Sequence, residues 1–168
     1  CEDFVRDKDA VSACAILAEI AAWAKDQGIT MYQLLQNIYV QYGFSKEKGI
    51  SVVKKGKSGA EEIEAMMKHF RENPLQEIAG SKVTLFYDYA SLKGKDYVEN
   101  ETLTLDMPTT SNVLQYFTED GTKVSIRPSG TEPKIKFYYG VKGTSLADAD
   151  EKAEKLGKAV MDIVNGLL

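Results

Sequence analysis

The sequence predicts an α+β fold in which helices pack on one face of an antiparallel sheet, preceded by two helices left over from an α/β domain. Short segments of alternating apolar and polar residues, joined by turn signals, fill residues 82–141. Helical periodicity flanks these segments in residues 58–70 and 145–167. Residues 10–42 show helical patterns with no strand beside them, which is unusual for a complete domain.

Composition limits the classes of function. With 43% hydrophobic and 27% charged residues, the 168-residue chain is globular and long enough to bury a core. A net charge of −4 argues against general affinity for nucleic acid or acidic membranes, so an anion site must be local. Two cysteines, Cys1 and Cys14, form no disulfide framework, and with no signal peptide they predict a cytoplasmic location. The chain begins at Cys1 rather than Met, as a fragment of a longer protein would.

The first predicted helix is apolar on all sides. Between residues 10 and 24 only Ser12 and Glu19 are polar, and such a helix is normally buried on most sides, which makes packing the expected role of Cys14. Gly28 ends it, and Thr30 with a glutamine three residues later forms a capping box for a second helix. We interpret the pair as the end of a domain whose sheet is missing. The alternative is a self-contained helical hairpin.

The second helix ends at Gly43, after which strands predominate. Six segments have the β-branched or alternating pattern of strands: residues 50–54, 82–89, 102–105, 112–117, 123–126 and 134–141. Within residues 82–89 the alternation places Val83, Leu85 and Tyr87 on one face, together with Tyr89. Between the fourth and fifth segments, Glu-Asp-Gly-Thr at 119–122 is a strong hairpin signal.

Two further helices accompany these strands. Ser58 and Glu61 form a capping box that opens the first of them, and Ser145 with Asp148 opens the last. The last helix has one continuous apolar stripe. The predicted order is β-α-β-(β)-β-β-β-α, which is typical of an antiparallel sheet with helices on one face.

The turn between the last two predicted strands carries the strongest functional signal. Arg127 ends one strand, and Ser129, Gly130 and Thr131 follow it. A guanidinium group, two hydroxyls and backbone N–H groups in a bend suit a phosphate dianion. Each residue is ordinary alone: Gly130 is a common device for a positive φ, and Arg127 could equally be a surface residue paired with Glu132.

The residues around this turn support the same interpretation. Pro128 and Pro133 bracket it and fix φ, so the turn loses little entropy when it binds a ligand. On the following strand the alternation puts Lys134 and Lys136 on one face, opposite the apolar residues. The alternative is two solvated lysines.

A second candidate precedes the first helix, where residues 6–10 read Arg-Asp-Lys-Asp-Ala. The simple interpretation is that Asp9 is the N-cap of the helix. Lys8, at a helix entry, is also suited to act as a proton donor or acceptor if its pKa is lowered.

Both stretches resemble the α-D-phosphohexomutases, the phosphoglucomutase and phosphomannomutase superfamily. Residues 127–136, Arg-Pro-Ser-Gly-Thr-Glu-Pro-Lys-Ile-Lys, are similar to the phosphate-binding loop of the fourth domain of that family. Residues 4–13 are similar to the segment that opens the last helices of the third domain. The resemblance implies that residues 1–43 are the C-terminal helices of the third domain. Residues 44–168 would then be the fourth, phosphate-binding domain, with its TBP-like fold.

The resemblance also implies roles for individual residues. It makes Lys8 a candidate for acid/base work. It assigns binding of the substrate phosphate to six residues: Arg127, Ser129, Gly130, Thr131, Lys134 and Lys136. Family members often have arginine at the position that Lys136 occupies. His69, the single histidine, has no partner at motif spacing and is expected to lie on the surface.

By resemblance, the parent enzyme interconverts hexose 1-phosphate and hexose 6-phosphate through hexose 1,6-bisphosphate. The family uses a phosphorylated serine and a Mg²⁺ ion held by an Asp-Gly-Asp loop, both in domains before this segment. Neither motif occurs in the chain, nor does the sugar-recognition loop of the family, so the fragment alone is predicted inactive. The expected partners are a phosphorylated sugar and the missing N-terminal domains. The fourth domain is expected to close over the cleft about a hinge in residues 43–48.

Two alternatives stay open at this point: a phosphopentomutase-like member of the family, and a stand-alone phosphate-binding module without chemistry of its own. The orphaned helix adds one expectation. If its sheet is missing, Ile16, Leu17, Ile20 and Trp23 form an exposed apolar patch, and the fragment self-associates through helix 10–24.

Overall fold

The computed structural model describes residues 9–54 and 56–167, and Lys8 therefore lies outside the described residues. The chain divides between Gly43 and Phe44 into two units. Within the described ranges, no helix combines the length and the apolar character needed to cross a membrane.

The first unit contains two helices, α1 (Ala10–Asp26) and α2 (Met31–Tyr42). Asp9 is the N-cap of α1 and accepts a hydrogen bond of 2.9 Å from the backbone N–H of Val11, as the simple interpretation predicts. The capping box of α2 has both expected bonds between Thr30 and Gln33. Its C-cap is Gly43, with a φ of 103°.

Helix α1 is largely exposed, as expected of an apolar helix whose sheet is missing, and only the packing role expected of Cys14 is wrong. Ala24 is the only residue of the helix that is buried, and Cys14 is exposed rather than packed. Ile16, Leu17 and Trp23 are each about half exposed. The physical reason is that a pair of helices offers each helix a single neighbour, which covers only one stripe of an all-apolar surface.

The second unit is built on an eight-stranded antiparallel sheet, which confirms the predicted fold class. Its strands are β1 (Phe44–Val53), β2 (Glu77–Ile78), β3 (Ser81–Asp88), β4 (Lys93–Asp96), β5 (Glu101–Thr104), β6 (Leu114–Thr118), β7 (Lys123–Pro128) and β8 (Lys134–Gly143). The order across the sheet is β1-β8-β7-β6-β3-β4-β5, and β2 pairs only with β3. Every pairing is antiparallel.

Helices α3 (Gly56–Glu72) and α4 (Leu146–Gly166) cover one face of this sheet. Alternate residues of β7 and β8 point into the core, where Ile126, Ile135 and Phe137 are at most 1% exposed. They pack against apolar residues of both helices, such as Phe70 and Leu156. The intervening residues of β7 and β8 lie on the other face, which neither α3 nor α4 covers.

The structure corrects several predicted elements. Strand β1 begins at Phe44 and pairs with β8 along its whole length, so Gly43 alone of the predicted hinge lies outside regular structure. Helix α3 begins at Gly56, which places Ser58 inside its first turn rather than at a cap. Strands β2 and β4 were not predicted, because two and four residues are too few to show a period.

Strand β3 has its core face in a different place from the predicted one. Val83 is buried, but the pairing with β6 shifts between Val83 and Leu85, as in a β-bulge. The shift turns Phe86 and Asp88 into the core and leaves Tyr87 half-buried on the other face. A simple alternation cannot reveal the extra residue.

Candidate functional site

The β7–β8 hairpin brings the cationic residues of the predicted site together. Arg127 of β7 is the register partner of Lys136 of β8. Since the neighbouring residues Ile126, Ile135 and Phe137 face the core, both cations lie on the face that helices leave uncovered. Cross-strand partners on one face have Cβ atoms about 4.5–5.5 Å apart, so the two charges are side by side.

Arg127 has an exposed side chain and no acidic partner among the described residues. The alternative in which it pairs with Glu132 is wrong, because Glu132 forms its ion pair with Lys134. A hydrogen bond from Lys134 and then the charge of Lys134 lower the pKa of Glu132; desolvation opposes them, and the charge of Lys136 adds the smallest lowering effect. Arg127 is therefore open to an outside anion.

Lys136 is half-buried and has an aromatic neighbour rather than an acidic one. Its ammonium nitrogen lies 6.0 Å from the centroid of the Tyr138 ring, a cation–π distance. Within residues 9–54 and 56–167, no carboxylate lies within ion-pairing distance of Lys136. The site therefore has two cations, Arg127 and Lys136, without counter-ions in the described chain.

Three hydrogen bonds hold the ends of the turn. The backbone N–H of Ser129 donates to the carbonyl of Lys134 at 2.8 Å, and the N–H of Lys134 donates to the carbonyl of Glu132 at 2.7 Å. The N–H of Lys54, just after β1, donates to the carbonyl of Pro133 at 2.9 Å. These bonds attach the turn to the rigid sheet on both sides.

The middle of the turn is different, because its backbone donors are unused. The successive N–H groups of Gly130, Thr131 and Glu132 have no hydrogen-bond partner in the part of the chain that the structure describes. The hydroxyls of Ser129 and Thr131 are unpartnered in the same described part. Successive free N–H groups in a bend are a common arrangement for binding an anion.

Gly130 has a different role from the predicted one. It does not adopt the positive φ that such a turn residue was expected to supply. A Cβ atom at this position would meet no heavy atom within 4 Å, so the fold itself does not require glycine. What glycine provides here is an uncovered backbone, which a ligand can approach closely.

A groove of about 610 Å³ continues from Arg127 across the uncovered face. Gln115 and Ser125 line it and are hydrogen-bonded to each other at 3.1 Å, and Tyr138 lines it with an aromatic ring. On the other side of the turn, a second groove of about 280 Å³ separates Ser129 from α3. Tyr138 is not among the site residues predicted from the sequence, although the alternation of β8 places it on the same face as Lys136.

The remaining predicted residues lie elsewhere. His69 is exposed on α3, far along the chain from the turn. Lys8 is outside the described residues, and its neighbour Asp9 has its pKa lowered by hydrogen bonds from Ser12 and Val11. Among the described residues, no group of three or more His, Cys, Asp or Glu side chains is placed to hold a metal ion. The Mg²⁺ expected for the parent enzyme therefore has no fitting ligand set among the described residues.

The sequence matches a family model described as the C-terminal domain of phosphoglucomutase/phosphomannomutase, over residues 51–158. A phosphoglucomutase of Staphylococcus aureus (strain MRSA252) is 37% identical over 159 residues, which cover 95% of this chain and 28% of the relative. A phosphoglucomutase of Staphylococcus haemolyticus (strain JCSC1435) is 36% identical over 140 residues, which cover 83% of this chain and 25% of the relative. The chain thus spans about a quarter of the length of these curated relatives.

The fold also has a counterpart among solved structures. The crystal structure of the exocytosis-sensitive phosphoprotein pp63/parafusin, a phosphoglucomutase from Paramecium in its open form, matches with a TM-score of 0.50 and 18% sequence identity. The match covers 96% of this chain and 28% of that one. At this level of identity the likeness concerns the fold alone.

Proposed function

The chain belongs to the phosphoglucomutase/phosphomannomutase family, as the match to its C-terminal domain shows, and on that premise we propose that its second unit binds the phosphate group of a phosphorylated sugar at the β7–β8 turn. The observation that carries the proposal is the row of three unpartnered N–H groups at Gly130, Thr131 and Glu132. Arg127 and Lys136, both without an acidic partner in the described chain, lie on the adjoining strands.

The donors suit a phosphate dianion in number and kind. The guanidinium of Arg127 offers two parallel N–H donors, the backbone offers three more, and Ser129 and Thr131 add hydroxyls. A hydrogen bond to a charged group contributes about 1.5–3 kcal/mol, so three or four of them could hold a sugar phosphate with a Kd on the order of micromolar after the costs of binding. Because the whole chain carries a net charge of −4, the attraction for phosphate is confined to this turn.

For the longer protein we propose the interconversion of hexose 1-phosphate and hexose 6-phosphate through a hexose 1,6-bisphosphate. Such an intermediate must present either end to the reacting serine, so the phosphate that does not react needs a site that ignores the sugar. A turn that offers donors to phosphate oxygens alone meets this need. A phosphorylated serine and Mg²⁺ would supply the phosphoryl-transfer chemistry from other domains, and the chain by itself is proposed to be inactive.

Two further parts of the proposal concern residues near the ends of the first unit. Residues 1–43 are proposed to be the last helices of the third domain and residues 44–168 the fourth. Gly43, with its φ of 103°, is the position at which the fourth domain would move to close over a substrate. Lys8 is proposed for acid/base work in that closed site, and it lies outside the described residues.

The test is the affinity of the 168-residue chain for inorganic phosphate, measured by isothermal titration calorimetry. Arg127→Ala removes the bidentate donor, and a loss of about 1.5–3 kcal/mol corresponds to affinity about 10- to 150-fold lower. The matched control is Lys142→Ala, because Lys142 lies exposed on the same face of the sheet, six residues from Lys136 along β8 and outside the groove that Arg127 lines. We expect it to change the affinity less than about twofold, since a distant surface charge is screened by salt. Equal losses in both variants, or none in Arg127→Ala, would contradict the proposal.

A further inference from the structure

Glu132 is the one acid in the cationic segment from Arg127 to Lys136. Its carboxylate forms an ion pair with the ammonium group of Lys134, two residues further along. The side chain of Glu132 is 59% exposed and that of Lys134 is 23% exposed. The acid is therefore the solvated partner of the pair, and the lysine is the one held against the sheet.

The surroundings of Glu132 allow a bound phosphate to take its place as the partner of Lys134. Lys134 is fixed in β8, where it pairs with Val53 of β1, whereas Glu132 stands in the turn with its own N–H unpartnered among the described residues. An ion pair at the surface contributes little stability, and here the carboxylate is well solvated without its partner because its side chain is 59% exposed. A phosphate dianion bound to the N–H groups of the turn would offer Lys134 two charges in place of one.

The net charge of the site also balances that of a phosphate dianion. Arg127, Lys134 and Lys136 are three cations, and Glu132 leaves them two net positive charges, equal and opposite to those of a phosphate dianion. Lys136 also lowers the pKa of Glu132 after the larger effect of Lys134, which indicates that the carboxylate stands in the field of both lysines.

We propose that Glu132 is the internal counter-ion of the phosphate site. Its carboxylate neutralises Lys134 while the site is free, and the lysine passes from the carboxylate to the phosphate when a phosphorylated ligand binds. This inference rests on the proposed function, because it describes how the same site is occupied before its ligand arrives. It makes the carboxylate of Glu132 a group that sets affinity by competing with the ligand, although that carboxylate contacts no substrate.

The experiment measures the affinity of the 168-residue chain for inorganic phosphate at low ionic strength and pH 8, in wild type and Glu132→Gln. Removing the competitor is expected to tighten binding by about two- to fivefold, the worth of an exposed ion pair. The matched control is Glu151→Gln, which removes the same charge from an exposed position of α4 with no ion pair among the described residues. It is expected to leave the affinity unchanged.

A double-mutant cycle tests whether Glu132 affects the phosphate affinity through Lys134. In a Lys134→Met background the carboxylate has no lysine to compete for, so Glu132→Gln should no longer tighten binding. The ¹³C shift of the Glu132 carboxylate should also move on saturation with phosphate in wild type and stay unchanged in Lys134→Met. Binding that is unchanged or weaker in Glu132→Gln overturns the inference, because the acid would then be neutral or supportive. If wild type itself fails to bind phosphate, the proposed function fails instead.

Discussion

Gly157 of α4 lies directly over β8, the strand that carries Lys134 and Lys136. A Cβ atom at position 157 would stand 2.5 Å from the hydroxyl oxygen of Tyr139 and 3.3 Å from its Cζ. Tyr139 is only 6% exposed beneath the helix, so its ring has little room to withdraw. Gly157→Ala therefore overpacks this contact, at a cost of about 1–3 kcal/mol. The substitution also improves helix propensity by about 1 kcal/mol, which leaves a net destabilisation of about 0–2 kcal/mol.

Two variants separate the contact from helix propensity. Gly166→Ala, at the end of the same helix, meets no heavy atom within 4 Å and should be neutral or slightly stabilising. Tyr139→Phe removes the oxygen at 2.5 Å, so Gly157→Ala should cost less in that background. The assay is native-state hydrogen exchange of the β8 amides, which reports the second unit without interference from the first. If Gly157→Ala has the same effect in wild type and in Tyr139→Phe, α4 does not pack on Tyr139 as described.

Two further predictions concern stability at low pH and association. Burial raises the pKa of Asp120, but hydrogen bonds from Thr118 and Thr122 outweigh it and lower the pKa overall. The ionised Asp120 therefore stabilises the fold above roughly pH 4, and this stabilisation is lost as the pH falls through the folded pKa. Between pH 7 and pH 3 the urea midpoint of Asp120→Asn should fall less than that of wild type. An equal fall in both would refute this. The exposed apolar residues of α1 predict that the chain self-associates, and Leu17→Lys with Trp23→Lys should reduce the mass measured by light scattering. A monomeric wild type at high concentration would contradict that expectation.

Much of the fold was predictable because its signals are local. The hairpin between β6 and β7 follows from its turn residues, and Gly121 indeed has a φ of 79°. The capping box at Thr30 and the N-cap at Ser145 form the expected bonds, since each joins residues three apart. Local chemistry of this kind needs no knowledge of distant contacts.

Other parts of the fold depend on distant partners. The first half of β1 is largely polar and contains Gly49, so nothing in it indicates a strand until β8 is there to pair with it. The core face of β3 depends on a register shift against β6, which no alternation within β3 contains. The packing role of Cys14 was mispredicted because composition describes what a helix can bury, and not whether its partner is present.

In the site, too, some features were predictable from the local sequence and others depend on the three-dimensional structure. The alternation of β8 was enough to place Lys134 and Lys136 on one face, and the turn residues were enough to propose an anion ligand. The partner of Glu132 was not predictable, because two cations lie within reach and side-chain geometry selects Lys134. The sequence also suggested the wrong reason for glycine at position 130, namely a positive φ. Only the three-dimensional structure shows that its φ is ordinary and that its surroundings are open.

The most direct measurement is an NMR titration of the ¹⁵N-labelled chain with glucose 1-phosphate, which follows the backbone amides of Gly130, Thr131 and Glu132. The account predicts saturable shifts confined to this turn and its flanking strands, because the unpartnered N–H groups become hydrogen-bond donors to phosphate. Free glucose should produce none, and Arg127→Ala should abolish saturation at the same concentrations. Amides that do not shift at millimolar ligand, or that shift equally with glucose, would contradict a phosphate site in this turn.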